Sequence, residues 1–147
     1  MKTIGLIGGM SWESTVTYYE IINREVVRKL GGFHCAKILM YNVDFAELEE
    51  NMSKGNWDKN AQILSQAAQV LQQAGADFIV IATNTMHKLV PSIQWHIQIP
   101  ILHIADATAA RIKKDNLDTP TTKVVGFLFQ RPLHCYQSFS FTRSPQA

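Results

Sequence analysis

The sequence has few of the features that mark secreted, metal-binding, membrane or nucleic-acid-binding proteins. Its two cysteines, Cys35 and Cys135, are too few for a disulfide framework, and the spacing of its five histidines predicts no metal site. No apolar run reaches the roughly 18 residues that a membrane span needs. The net charge is only +2 and the basic residues are scattered, so we expect no nucleic-acid partner.

The remaining composition is typical of one globular domain. The chain has 147 residues, of which 46% are hydrophobic and 18% are charged, and this is enough to build a core. Its start is apolar after Lys2, but Gly5, Gly8 and Gly9 interrupt the run and no small-residue cleavage site follows. We therefore predict a first β-strand rather than a secretory signal, and a cytoplasmic location.

Two polar loops that directly follow apolar runs are the most informative feature. Residues 8–14 (Gly-Gly-Met-Ser-Trp-Glu-Ser) follow the run 3–7, and residues 83–87 (Thr-Asn-Thr-Met-His) follow the run 78–82. Each has the order of strand, tight loop and helix start. In an open α/β sheet, this order places the loops at the carboxyl ends of parallel strands, where small molecules bind.

The pattern of the whole chain predicts an α/β fold. The predicted strands are residues 3–7, 38–43, 78–82, 100–104 and 123–128. Because helices separate them, right-handed crossovers should build an open parallel sheet with helices on both faces.

Helical periodicity and capping residues predict the intervening helices. The first helix should be capped by Ser11 or Ser14 and end at Gly31-Gly32. Its apolar stripe is Val16, Tyr19, Ile22, Val26 and Leu30. A second clear helix covers about 57–74, and Asp44 is expected to cap a short helix before it. A helix should begin within the second loop, and Pro91 should kink or restart it. Asp106 should cap a helix that ends near Lys114.

The two loops supply groups that bind a small anion. The hydroxyls of Thr83 and Thr85, the amide of Asn84 and the N–H groups of the following helix should converge on one spot. The N-terminus of a helix favours anions through its free N–H groups and its dipole. These residues therefore predict a carboxylate site.

Ordinary structural roles compete with this interpretation. Thr83, Thr85 and Ser11 are residue types that commonly cap helices. For Met10 the ordinary role is packing in the core, and for His87 it is a position on a solvated helical face. A nucleotide site fits less well, because the glycines lack the G-x-G-x-x-G spacing and no Walker lysine follows them.

Several separate motifs together resemble the aspartate/glutamate racemase family. In chain order they are residues 4–15, 43–45, 57–58, 83–88 and 103–108. The resemblance covers about residues 1–128, which we interpret as one lobe of a two-lobe racemase fold. Residues 129–147 are expected to be a divergent, poorly ordered tail, and an altered reading frame is one explanation for it.

The resemblance implies racemisation of an amino acid, aspartate or glutamate, without pyridoxal phosphate, metal or another cofactor. Two side chains on opposite faces of the α-carbon would remove and deliver its proton. The resemblance implies Thr83 as the catalytic residue, where many relatives have cysteine. Met10 (through its backbone), Thr83, Asn84 and Thr85 would bind the substrate. A hydroxyl is a weaker acid than a thiol, so Thr83 needs an activating neighbour and should favour one enantiomer.

The chain also departs from the family pattern. The second-lobe Gly-Cys-Thr-Glu type of motif is missing, and Cys135 lacks those neighbours. We therefore expect little or no racemisation by this chain alone. Met52 stands where relatives often have a polar residue for the distal carboxylate, which weakens the expectation of an acidic substrate.

Two other functions stay open. A lobe that normally packs on a second lobe would expose an apolar face, so the chain could be a non-catalytic partner that forms a homodimer or binds an intact relative. Alternatively, it could be an isomerase or decarboxylase of small dicarboxylic acids on the same type of scaffold.

Overall fold

The computed structural model describes residues 1–114 of the chain. In chain order the elements are β1 (Ile4–Gly8), α1 (Trp12–Leu30), β2 (Ile38–Asn42), α2 (Phe45–Ser53), α3 (Trp57–Gln73), β3 (Phe78–Ile81), a 3₁₀ helix (Thr85–Leu89), α4 (Val90–Gln94) and α5 (Ile104–Lys114). The predicted strand 123–128 and the predicted tail 129–147 lie outside the described residues.

The three strands form one parallel sheet in the order β2-β1-β3. Ile4 of β1 pairs with Ile38 on one side and with Phe78 on the other. Leu6 and Ile7 are completely buried because their strand is central and both of its faces are covered. The predicted open, parallel α/β sheet is confirmed.

Different helices cover the two faces of the sheet. A Cβ built on Gly5 would lie 3.2 Å from the Cβ of Leu71 in α3, whereas a Cβ on Gly8 would lie 2.4 Å from the Cγ2 of Thr15 in α1. Successive residues of a strand point to opposite faces, so positions 5 and 8 face opposite ways. The helices α1 and α3 therefore lie on opposite faces, as predicted.

The main core lies between α3 and the sheet. Leu64 and Leu71 of α3 are buried. A buried polar bridge joins α2 to α3: the amide of Asn51 donates to Oδ1 of Asn60 (3.0 Å), and the amide of Asn60 donates to the carbonyl of Leu48 (3.0 Å). This bridge fixes the segment that follows β2 against the core.

The helix α1 begins and ends as predicted, but its apolar stripe is not buried. It is capped by Ser11 and ends at Gly31, which has a φ of 72°. Val16 is 48% exposed and Leu30 is 55% exposed, whereas the buried residue of the helix is Thr15. The helix turns a neighbouring face toward the sheet, so periodicity located the helix but not its buried side.

The segment after β3 confirms one prediction. Thr85–Leu89 is a 3₁₀ helix, and α4 restarts at Val90 with Pro91 in its first turn. Proline is favoured there because its missing N–H is not needed at a helix start.

The predicted fourth strand over residues 100–104 is wrong. Pairing is limited to one parallel bridge between Ile79 and Ile101, and Ile104 already begins α5. Asp106 lies in the first turn of that helix rather than at its cap. Instead, Nδ1 of His103 accepts a hydrogen bond from the N–H of Ala105 at 3.1 Å, so the chain leaves the sheet at this histidine.

Within residues 1–114, no helix is both long enough and apolar enough to cross a membrane.

Candidate active site

The loops that follow the strands begin at one edge of the sheet, as the sequence predicted. The N–H of Ala82, just after β3, donates to the carbonyl of Ile7 in β1 (2.9 Å). The N–H of Val43, just after β2, donates to the carbonyl of Gly8 (3.0 Å). These bonds bring the loop after β1 between the starts of the other two loops.

The loop after β1 is closely packed. Gly9 has a φ of +89°, and a Cβ at this position would lie 2.1 Å from the carbonyl oxygen of Val43. Its N–H donates to Oγ1 of Thr15 (3.0 Å), and that hydroxyl donates to the carbonyl of Ser11 (3.0 Å). A glycine is therefore needed for both conformation and space, and the loop has a single tight path.

Ser11 has the capping role that we considered as its ordinary explanation. Its Oγ accepts the N–H of Ser14 at 3.2 Å and donates to a carboxylate oxygen of Glu13 at 2.8 Å. The first turn of α1 thus already holds a negative charge. An anionic ligand at this edge would depend on the loops rather than on the start of α1.

The side chain and the backbone of Met10 have different roles. Its side chain is 1% exposed and belongs to the hydrophobic core, as the ordinary interpretation expected. Its backbone N–H meets no hydrogen-bond acceptor in the described part of the chain. The backbone donor, but not the thioether, is therefore available at the sheet edge.

The loop after β3 carries three polar side chains without internal partners. Thr83, Asn84 and Thr85 are half-buried. Among residues 1–114, no hydrogen bond is made by these side chains, and Asn84 occupies the N-cap of the 3₁₀ helix without a side-chain cap bond. The capping explanation is therefore wrong for the two threonines, and their hydroxyls are available to a ligand.

The helix dipole contributes less here than the sequence suggested. The five residues after Asn84 form a 3₁₀ helix rather than an α-helix, and 3₁₀ geometry gives poorer alignment of the backbone groups. Any affinity for an anion at this loop would come mainly from the individual hydroxyl, amide and N–H donors.

His87 is buried, which corrects the expectation that it lies on a solvated face. It is 5% exposed, and its Nδ1 has no hydrogen-bond partner among the described residues. Its ring meets the ring of His103 edge to face, with 4.9 Å between the centroids. An unpartnered buried polar atom costs about 1–3 kcal/mol, so this position calls for an explanation.

Burial lowers the pKa of His87 below its ordinary value, and the neighbouring His103 acts in the same direction. Nearby backbone groups of Thr83, Asn84 and Leu102 oppose this lowering of the pKa without cancelling it. The imidazole is therefore neutral at pH 7. The apolar residues Met86 and Leu89 on either side were a signal for its burial, but the two polar residues between them, His87 and Lys88, look alike in the sequence although only His87 is buried.

The side chains of Met52 and Lys88 are occupied by contacts within the chain. Met52, at the position where a polar residue was expected in relatives, is 4% exposed and belongs to the core. The ammonium of Lys88 lies 3.2 Å from the centroid of the Trp57 ring, a cation–π contact. In the described segment, no cluster of three or more His, Cys, Asp or Glu residues could hold a metal ion.

Residues 7–139 match the family described as Asp/Glu/Hydantoin racemase. The chain belongs to this racemase family. The match continues past residue 128, where we expected the resemblance to end.

Two solved structures are similar to this racemase-family chain. One is a Yersinia pestis protein described as a candidate Asp/Glu racemase: it is 55% identical, the TM-score is 0.77, and the match covers 80% of this chain and 51% of that one. The other is an aspartate racemase homologue from Pyrococcus horikoshii: it is 34% identical, the TM-score is 0.70, and the match covers 78% of this chain and 50% of that one. The chain thus spans about half the length of these structures.

Proposed function

We infer that this chain provides one half of an amino-acid racemase site that works by acid/base proton exchange at the α-carbon, without a cofactor. Aspartate or glutamate is the proposed substrate, as the family name suggests. The observation that carries the proposal is the set of unused polar groups on Thr83, Asn84 and Thr85 beside the loop after β1. Buried or half-buried donors without partners are suited to a polar ligand.

Each residue has a separate proposed role. The backbone N–H of Met10, the Asn84 amide and the Thr85 hydroxyl would bind the substrate α-carboxylate through hydrogen bonds, which are stronger when the acceptor is charged. The Thr83 hydroxyl would face the α-hydrogen and exchange its proton. A racemase needs a second group on the other face of the α-carbon, so the 147-residue chain by itself should bind substrate without appreciable racemisation.

The binding proposal is tested by adding L- and D-aspartate and L- and D-glutamate to the ¹⁵N-labelled chain. The amide resonances of Met10, Asn84 and Thr85 should shift and saturate. Asn84→Ala should weaken binding about tenfold or more, as expected from losing a charge-assisted hydrogen bond. Gln73→Ala is the matched control, because Gln73 is exposed at the end of α3, on the opposite edge of the sheet. Unmoved resonances at the three amides would refute the site.

A specific observation also favours the second candidate, association with another protein. Trp12 is 66% exposed and Tyr19 is 48% exposed on α1, and Val16 and Leu30 of the same helix are also exposed. Apolar side chains grouped on one surface favour association. Size-exclusion chromatography with light scattering tests this candidate, and a monomer at all concentrations would remove self-association from consideration.

A further inference from the structure

The buried imidazole of His87 is the feature of this edge that the proposed function does not yet use. It follows Thr83 by one turn of chain, and backbone groups of Thr83 and Asn84 lie close enough to its ring to influence its pKa. On the other side, the ring packs on His103, whose own orientation is held by the bond from the N–H of Ala105. The His87 ring is therefore buried between His103 and the Thr83–Thr85 loop.

Both partners of a hydrogen bond are present at this position but unused. A neutral imidazole has one nitrogen that can accept a hydrogen bond, and Nδ1 of His87 has no partner in the described chain. The Thr83 hydroxyl is half-buried and likewise forms no hydrogen bond within residues 1–114. A threonine hydroxyl is a poor base unless a neighbouring group takes its proton.

We propose that His87 is a positioning residue for Thr83, whose hydroxyl donates a hydrogen bond to Nδ1 of His87 when a substrate α-hydrogen faces it. This inference rests on the proposed function, because it concerns how Thr83 becomes a base. A change of the Thr83 χ1 rotamer would turn its hydroxyl toward the ring.

The α C–H bond breaks and its proton goes to Oγ1 of Thr83, while the proton of that hydroxyl goes to Nδ1 of His87. The electron pair stays on the α-carbon, delocalised into the bound carboxylate. The reverse steps return a proton to the same face. In D₂O the imidazolium exchanges with solvent, so deuterium enters the α-position without inversion.

The surroundings of His87 predict how this exchange depends on pH. His103 is the titratable group that faces the ring, and the adjacent Lys88 is directed to the Trp57 ring instead. No carboxylate in the described residues contributes to the pKa of His87, which burial and His103 both lower. The exchange needs the neutral ring, so its rate should fall as the pH decreases below about 6.5 toward the lowered pKa.

The experiment follows loss of the α-proton signal of L- and D-aspartate and glutamate by ¹H NMR, with the full 147-residue chain in D₂O. For one enantiomer, the α-proton signal should disappear faster than the optical rotation of the solution changes. His87→Asn keeps an oxygen acceptor near the position of Nδ1 but cannot take a proton. It should lower the exchange rate about 100-fold or more and remove the acid limb of the pH profile, while the binding shifts at Met10, Asn84 and Thr85 persist.

His34→Asn is the matched control, because His34 is exposed in the loop before β2, at the opposite edge of the sheet. It should leave exchange unchanged. If His87→Asn fails to fold, the ¹⁵N resonance of Nδ1 in the unsubstituted chain replaces it as the readout, and this resonance should shift when substrate binds.

The possible results separate this inference from the proposed function. Three results would overturn the role of His87 but not the carboxylate site, if substrate still binds. They are the absence of α-proton exchange, exchange that His87→Asn does not affect, and an Nδ1 resonance that does not move. Absence of substrate binding would overturn the proposed function itself, and the role of His87 with it.

Discussion

Replacement of Gly9 by alanine tests whether the loop after β1 has the tight path that the site requires. Two separate costs are expected. A residue with a side chain pays about 1–2 kcal/mol for the positive φ of +89°. The new Cβ would also lie 2.1 Å from the carbonyl oxygen and 2.8 Å from the nitrogen of Val43. Both atoms belong to the backbone, which cannot swing aside as a side chain can.

Relief of such a contact typically costs about 1–3 kcal/mol. The sum predicts that Gly9→Ala lowers the free energy of unfolding by about 2–5 kcal/mol. Gly75→Ala is the matched control, since Gly75 has a similar φ of +96° but no atom within 4 Å of an added Cβ. It should cost only the conformational part, about 1–2 kcal/mol.

Urea unfolding followed by circular dichroism measures both variants, and the m-value checks that the denatured states are comparable. The amide resonance of Met10, next in the chain, should move strongly in Gly9→Ala and not in Gly75→Ala. Equal losses of stability in the two variants would refute the reasoning, because the difference between them isolates the contact with Val43.

Two further predictions concern buried polar groups. First, the free energy of unfolding in urea should fall as the pH is lowered below about 6.5. The pKa of His87 is below its ordinary value in the folded chain, so the unfolded chain binds the proton first. His87→Asn should flatten this pH dependence, and an unchanged slope in the variant would contradict the prediction. Second, Asn60→Ala should cost about 1–3 kcal/mol, since it leaves the Asn51 amide without its acceptor in the core and removes the side-chain donor to the Leu48 carbonyl. Gln62→Ala, exposed on the same helix, should stay within about 0.5 kcal/mol, and a comparable loss there would argue against the polar bridge.

Local sequence patterns predicted the parts of this protein that depend on neighbouring residues. The helices α1 and α3 and the strand β3 lie within a residue or two of their predicted bounds. Apolar periodicity, Ser11 at a helix start and glycines at helix ends act over one or two turns and can be recognised without the rest of the fold. The two loops at the sheet edge followed from the same patterns, because parallel strands place their carboxyl ends together.

Properties that depend on distant contacts were decided only by the tertiary structure. The stripe of α1 stays half exposed because its helix turns Thr15 to the sheet. Residues 100–104, expected to form a strand, make only a single bridge to β3, because a strand needs a neighbouring strand that runs beside it over several residues. His87 is buried because the segment carrying His103 packs on it. Sequence alone determined which chemical groups reach this edge, whereas packing between segments far apart in the chain decided which of them are left without partners and so are available for chemistry.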